Sequence, residues 1–88
     1  MVEKKFTVTD QAGIHARPAS LLVSTANKFE SDVFLVYKGK DVNLKSILGV
    51  MSLGIGSAEE FSIRAEGSDE QDALKELEKT LQNEGLAK

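Results

Sequence analysis

The chain carries one histidine, His15, within Gly13-Ile14-His15-Ala16-Arg17-Pro18-Ala19-Ser20, where a loop turns into an amphipathic helix. Imidazole, with an ordinary pKa of about 6.5, is nucleophilic near neutral pH, so this residue could attack phosphorus without a metal or a separate base. The start of a helix suits the anion that results. Its first N–H groups lack intrahelical acceptors, and the aligned peptide dipoles concentrate positive charge there. Arg17 would add a fixed guanidinium beside the same anion. The plain alternative is a histidine that caps the helix or sits in solvent, and the octet alone leaves both readings open.

Ser46 lies in Val42-Asn43-Leu44-Lys45-Ser46-Ile47-Leu48-Gly49-Val50-Met51, directly before a short apolar helix. Its simplest role is an N-cap, the hydroxyl accepting a bond from a backbone N–H. A phosphate there would add about −1.5 to −2 charge, favoured by the helix start and by Lys45. From Ser46 to Leu53 the apolar side chains point in too many directions for one buried face, so some stay exposed. Ile47 and Val50 are expected mostly inward, Leu48 and Met51 mostly outward.

The elements that position these residues follow from periodicity. Phe6 and Val8 alternate with polar neighbours in a half-buried strand ending near Asp10. Ala19, Leu22, Ala26 and Phe29 recur at helical spacing after it, with Pro18 tolerated in the first turn. Val33 to Tyr37 form a strand, Lys38-Gly39-Lys40 turns the chain, and Asp41 to Leu44 return as its antiparallel partner. Phe61, Ile63 and Ala65 mark the last strand. Ser68 with Gln71 resembles a capping box for a final helix carrying Ala73, Leu74, Leu77 and Leu81, which Gly85 terminates. The order is βαββαβα in one α+β domain spanning 1–88, with helices on one face of a mainly antiparallel sheet. Order alone does not separate a ferredoxin-like split βαβ arrangement from another α+β sandwich.

Composition narrows the function. With 88 residues and 41% hydrophobic content, the chain suits one small core and no sizeable enclosed cavity. The absence of cysteine excludes disulfides and thiolate metal sites, and one histidine without a cluster argues against zinc, so no cofactor is expected. A net charge of −3 disfavours broad attraction to nucleic acid. The segments holding His15 and Ser46 nevertheless carry Arg17, Lys28, Lys38, Lys40 and Lys45, a basic bias able to dock an acidic protein partner. No long apolar run or signal peptide is present, which implies a cytoplasmic protein without membrane insertion.

Together the two segments resemble the HPr family of histidine-containing phosphocarriers of the bacterial sugar phosphotransferase system, Gram-positive type. Gly13-Ile14-His15-Ala16-Arg17-Pro18 is similar to the phosphohistidine motif of that family. Asn43-Leu44-Lys45-Ser46-Ile47 through Met51-Ser52-Leu53-Gly54 is similar to its regulatory-serine region, and the likeness spans essentially the whole chain. The resemblance implies an open-faced β-sandwich with a four-stranded antiparallel sheet, order 1-4-2-3, and three helices on one face. It also implies a monomer. In function it implies that enzyme I, charged by phosphoenolpyruvate, phosphorylates Nδ1 of His15, and that the group passes to enzyme IIA domains. Arg17 and the Ala16 amide would hold the phosphate, and Ser20, Ile47, Leu48 and Met51 would meet partners. Ser46 would be the target of an HPr kinase/phosphorylase, giving a form that slows transfer and binds a catabolite control repressor. Leu48 stands where many Gram-positive members have Met, and Ser20 where Thr is frequent; both keep size or hydroxyl character.

Two other functions set the tests. A regulatory binding module would work through phospho-Ser46 alone, although the related regulatory proteins lack the active histidine. A hydrolase would need a second histidine or an assembled triad, and the sequence offers neither.

Overall fold

Four segments become strands in the computed structural model, which describes residues 1–88: β1 (Val2–Thr7), β2 (Asp32–Tyr37), β3 (Lys40–Asn43) and β4 (Glu60–Glu66), of which β4 alternates strictly between apolar and polar residues. They pair antiparallel in the order β1-β4-β2-β3. The register sets Phe6 opposite Phe61 and Leu35 opposite Ile63, so the buried members of the strands share one face, while Phe34 and Val36 of β2 lie half-buried on the other. On that face lie the helices α1 (Ala16–Ala26), α2 (Ile47–Met51) and α3 (Glu70–Asn83), giving the expected βαββαβα order. Their buried stripes, Ala19, Leu22 and Ala26 on α1, Val50 on α2, and Ala73, Leu77 and Leu81 on α3, join the strands in a single core of 20 residues. Lys38 (φ 47°) and Gly39 (φ 79°) make the two-residue β2–β3 turn, whose twin left-handed residues match the strand twist.

Several local expectations are corrected. β1 ends at Thr7 rather than near Asp10, and only an isolated bridge from Val8 to Ala87 extends it. The reason lies in the C-terminal segment, which claims this part of the chain through Thr7–Lys88 and Thr9–Leu86 backbone bonds. α1 stops at Ala26, so Phe29 packs on the core from the turn that follows instead of continuing the helical stripe. The Ser68–Gln71 capping box does not form. The N-cap is Asp69, and its carboxylate turns away from the helix amides to accept from Ser31 Oγ and from the amides of Ser31 and Glu30, both at 2.9 Å. Those bonds tie the turn after α1 to the start of α3. At the other end of α3, Leu86 N–H donates to Leu81 C=O at 2.9 Å and Gly85 N–H to Gln82 C=O at 3.2 Å, a Schellman closure that buries Leu86 against Leu81. This closure returns the chain beside the start of α1.

Candidate functional site

His15 is the N-cap of α1, with extended backbone (φ −101°, ψ −171°), an exposed side chain and a carbonyl that accepts from Ala19 N–H at 2.9 Å. The imidazole makes no capping bond. Neither the Ala16 nor the Arg17 amide donates to another backbone group, and Pro18 has no N–H, so two donors stand beside the ring. No acidic residue occupies the first turn of α1 to offset its dipole. Arg17 is largely exposed, and its guanidinium lies 4.0 Å from the Glu84 carboxylate. A shallow cleft joins these groups, lined by Asp10, His15, Arg17, Pro18, Leu21 and Glu84.

The loop before His15 is fixed from several sides. Asp10 accepts from Ala12 N–H through its carboxylate at 2.8 Å and from Gly13 N–H through its carbonyl at 3.0 Å, closing the turn. Ile14 N–H donates to Ile55 C=O at 2.9 Å, and the Ile14 side chain is buried. Gly13 adopts φ 73°, and a Cβ there would come within 2.5 Å of the Ile55 oxygen and 2.9 Å of Gly56 Cα. Glycine is needed here for both backbone angle and space.

Ser46 is confirmed as the N-cap of α2: its hydroxyl accepts from Gly49 N–H at 3.3 Å. Lys45 does not face it. The Lys45 ammonium donates to Phe29 C=O at 2.7 Å, while Lys45 C=O receives Asn27 Nδ2 at 3.4 Å. Ser46 is therefore anchored beside the C-terminal end of α1, at the opposite end of that helix from His15, and 11 helical residues span about 16 Å. On α2, Val50 is buried while Leu48 is 80% exposed and Met51 40%, as expected. Ile47 departs from expectation. At 37% exposure it belongs with the outward residues, because a helix of five residues has room for only one wholly inward position and Val50 takes it. Ser20 is exposed on α1 one turn beyond Ala16, and α1 packs against α2.

The sequence reading missed Glu59. Its carboxylate accepts from Gly56 N–H at 2.7 Å, from Tyr37 O–H and from Lys38 Nζ at 3.2 Å. The Tyr37 hydroxyl, then the Gly56 amide and Lys38, hold its pKa down at about 2. A carboxylate three residues after a glycine in a turn was the available local signal; Tyr37 is too distant in sequence to be foreseen.

A phosphocarrier model, the HPr phosphorylation-site family of the phosphotransferase system, matches residues 2–83. The chain belongs to the HPr family. Among solved structures, the histidine-containing phosphocarrier protein of Mycoplasma is 36% identical, with 97% of each chain covered and a TM-score of 0.94. The phosphocarrier protein HPr of Bacillus anthracis is 46% identical over 90% of this chain and 94% of that one, with a TM-score of 0.83. Crh, a catabolite repression protein of Bacillus subtilis described as a swapped dimer, is 49% identical over 96% and 97% of the two chains, with a TM-score of 0.74. The sheet order and helix placement above are those of the HPr fold. As an HPr protein the chain is a phosphocarrier of the phosphotransferase system and not an enzyme with turnover of its own. No helix is long and apolar enough to cross a membrane.

Proposed function

We propose that His15 is the phosphoryl acceptor, taking the group on Nδ1 from phospho-enzyme I and passing it to enzyme IIA domains in the cytoplasm. The observation that carries this reading is an exposed imidazole at the start of α1 with the Ala16 and Arg17 amides unclaimed beside it. In the step, the Nδ1 lone pair of neutral imidazole forms the new N–P bond. The bond between phosphorus and the donor breaks, its electron pair leaves with the donor, and the ring proton stays on Nε2. Phosphoryl transfer asks mainly for in-line positioning and charge stabilisation, which a small carrier meets with two amides, a helix dipole and one guanidinium. Arg17 exchanges its loose contact with Glu84 for the phosphoryl oxygens, a doubly charged partner.

Ser46 is the regulatory phosphorylation site in this reading, modified by an HPr kinase/phosphorylase and then recognised by a catabolite control repressor. The separation of Ser46 from His15 along α1 exceeds a Debye length of about 8 Å, so phosphate at Ser46 acts weakly on the imidazole itself. It acts on docking: Ile47, Leu48 and Met51 form an apolar patch directly after Ser46, and with Ser20 they provide the surface for enzyme I and enzyme IIA. The carrier works as a monomer, although the Crh neighbour makes a dimer the alternative that a sizing column decides.

The test is reconstitution. With phosphoenolpyruvate, enzyme I and an enzyme IIA domain, the wild-type chain should relay label to the IIA domain, and His15→Ala should relay none. Relay by His15→Ala would overturn the assignment.

A further inference from the structure

We infer that Glu59 is a positioning residue for the His15 loop, acting through Gly56 and the Ile55 carbonyl. The inference rests on His15 being the reactive group, and it concerns what holds that group still.

The chain of contacts is short. Next to His15, the loop meets the segment after α2 through Ile14 N–H, which donates to Ile55 C=O, and Gly13 stacks its backbone on the same peptide with no room for a methyl group. That peptide is the one joining Ile55 to Gly56. Its N–H, at Gly56, is held by one Glu59 carboxylate oxygen at 2.7 Å. Both ends of a single peptide plane are thus fixed, the oxygen by the His15 loop and the N–H by Glu59. The other carboxylate oxygen is held by Tyr37 O–H and by Lys38 Nζ at 3.2 Å, on the β2–β3 turn. Lys38 sits at φ 47°, an uncommon angle for a lysine, and this places its ammonium over the Tyr37 ring and beside Glu59. Main-chain bonds steady the rest of the turn: Val8 N–H donates to Glu59 C=O at 2.9 Å and Ala58 N–H to Val8 C=O at 3.1 Å.

Without the carboxylate, Gly56 N–H loses its acceptor, and the longer bond from Glu59 N–H to Gly56 C=O at 3.3 Å is all that holds a residue with wide backbone freedom. The Ile55–Gly56 peptide can then rotate and release Ile14, leaving the imidazole with more orientations than transfer can use. Loss of orientation lowers the rate of the chemical step while leaving the docking surface on α1 and α2 untouched.

The experiment compares Glu59→Ala, Glu59→Gln and Asp69→Asn with the wild type, by amide hydrogen exchange and by steady-state phosphorylation with enzyme I and phosphoenolpyruvate. Glu59→Ala should speed exchange at Ile14 and Gly56 and lower the kcat of enzyme I with the variant as phosphoryl acceptor about tenfold, with KM for the variant within about twofold of that for the wild type. Glu59→Gln, which keeps an oxygen able to accept from Gly56, should recover most of both. Asp69→Asn loosens the turn after α1 without touching this linkage and should leave kcat unchanged. Unchanged Ile14 exchange in Glu59→Ala, a change confined to KM, or an equal loss of kcat in Asp69→Asn would each overturn the inference. If the wild type takes up no phosphoryl group, the proposed function fails, and the exchange at Ile14 still decides whether Glu59 holds the loop.

Discussion

Lys45 donates its ammonium to the Phe29 carbonyl at 2.7 Å and so is engaged by the turn after α1 rather than by the serine beside it in sequence. The helix start is then the main local support for charge at Ser46. Ser46→Asp, whose carboxylate can take over the cap, should fold with near-wild-type stability and be phosphorylated more slowly by enzyme I, chiefly through a raised KM. Ser46→Ala should lose about 0.5 kcal/mol, the low end for a cap, because the bond it removes is long at 3.3 Å. Urea unfolding and initial-rate kinetics check the two halves separately. Equal KM for wild type and Ser46→Asp would remove the docking account.

Leu48 and Val50 separate partner binding from folding within five residues of helix. Val50 is 1% exposed, and Val50→Ala should cost about 2 kcal/mol through lost burial and the cavity left behind. Leu48 is 80% exposed, so Leu48→Ala should leave the unfolding midpoint within about 0.5 kcal/mol of wild type while weakening enzyme I binding. Calorimetric titration against enzyme I alongside denaturant unfolding distinguishes the two.

Gly13→Ala meets both an unfavourable backbone angle and a backbone oxygen 2.5 Å from the new methyl group. Loss of about 1–3 kcal/mol is expected, together with faster exchange of the Ile14 amide, since the loop must lift from Ile55.

Acid should weaken the fold through carboxylates whose pKa values are depressed in the native state. Glu59 lies at about 2, held chiefly by the Tyr37 hydroxyl. Asp69 is lowered chiefly by the Ser31 hydroxyl, and Glu70 chiefly by the N-terminal ammonium, whose nitrogen lies 2.8 Å away. A depressed folded-state pKa means that the stabilisation is complete above the unfolded value, 4.5 for glutamate, and is lost as pH falls toward the folded one. Glu59→Gln should therefore be less stable than wild type at neutral pH, and the gap in Tm should close between pH 5 and pH 2. A gap of constant size across that range would show that its charge is not what stabilises the turn.

Periodicity made the strands and the long helix legible, because Phe61-Ile63-Ala65 and Ala73-Leu77-Leu81 each repeat at one spacing and bury one face. The His15 and Ser46 motifs were legible as well, since a cap and its helix are neighbours in sequence. The sheet order came only from the family resemblance, as strand alternation records which face is buried and not which strand lies alongside. The rest depended on contacts between distant residues. Ser68 gave way to Asp69 at the start of α3 because Ser31 and Glu30 offered the Asp69 carboxylate three donors from across the fold. Ile47 turned outward because the short α2 could bury only Val50. Glu59 reads in sequence as one more surface acid until Tyr37 and Gly56 are placed around it.

Phosphorus NMR of the chain charged with phosphoenolpyruvate and enzyme I, with histidine labelled by ¹⁵N, tests the central claim most directly. One phosphohistidine resonance is predicted, coupled to Nδ1 of His15, abolished by acid, discharged by an enzyme IIA domain and absent from His15→Ala. A phosphoryl signal that persists in His15→Ala, or a wild-type chain that acquires none, would contradict the account.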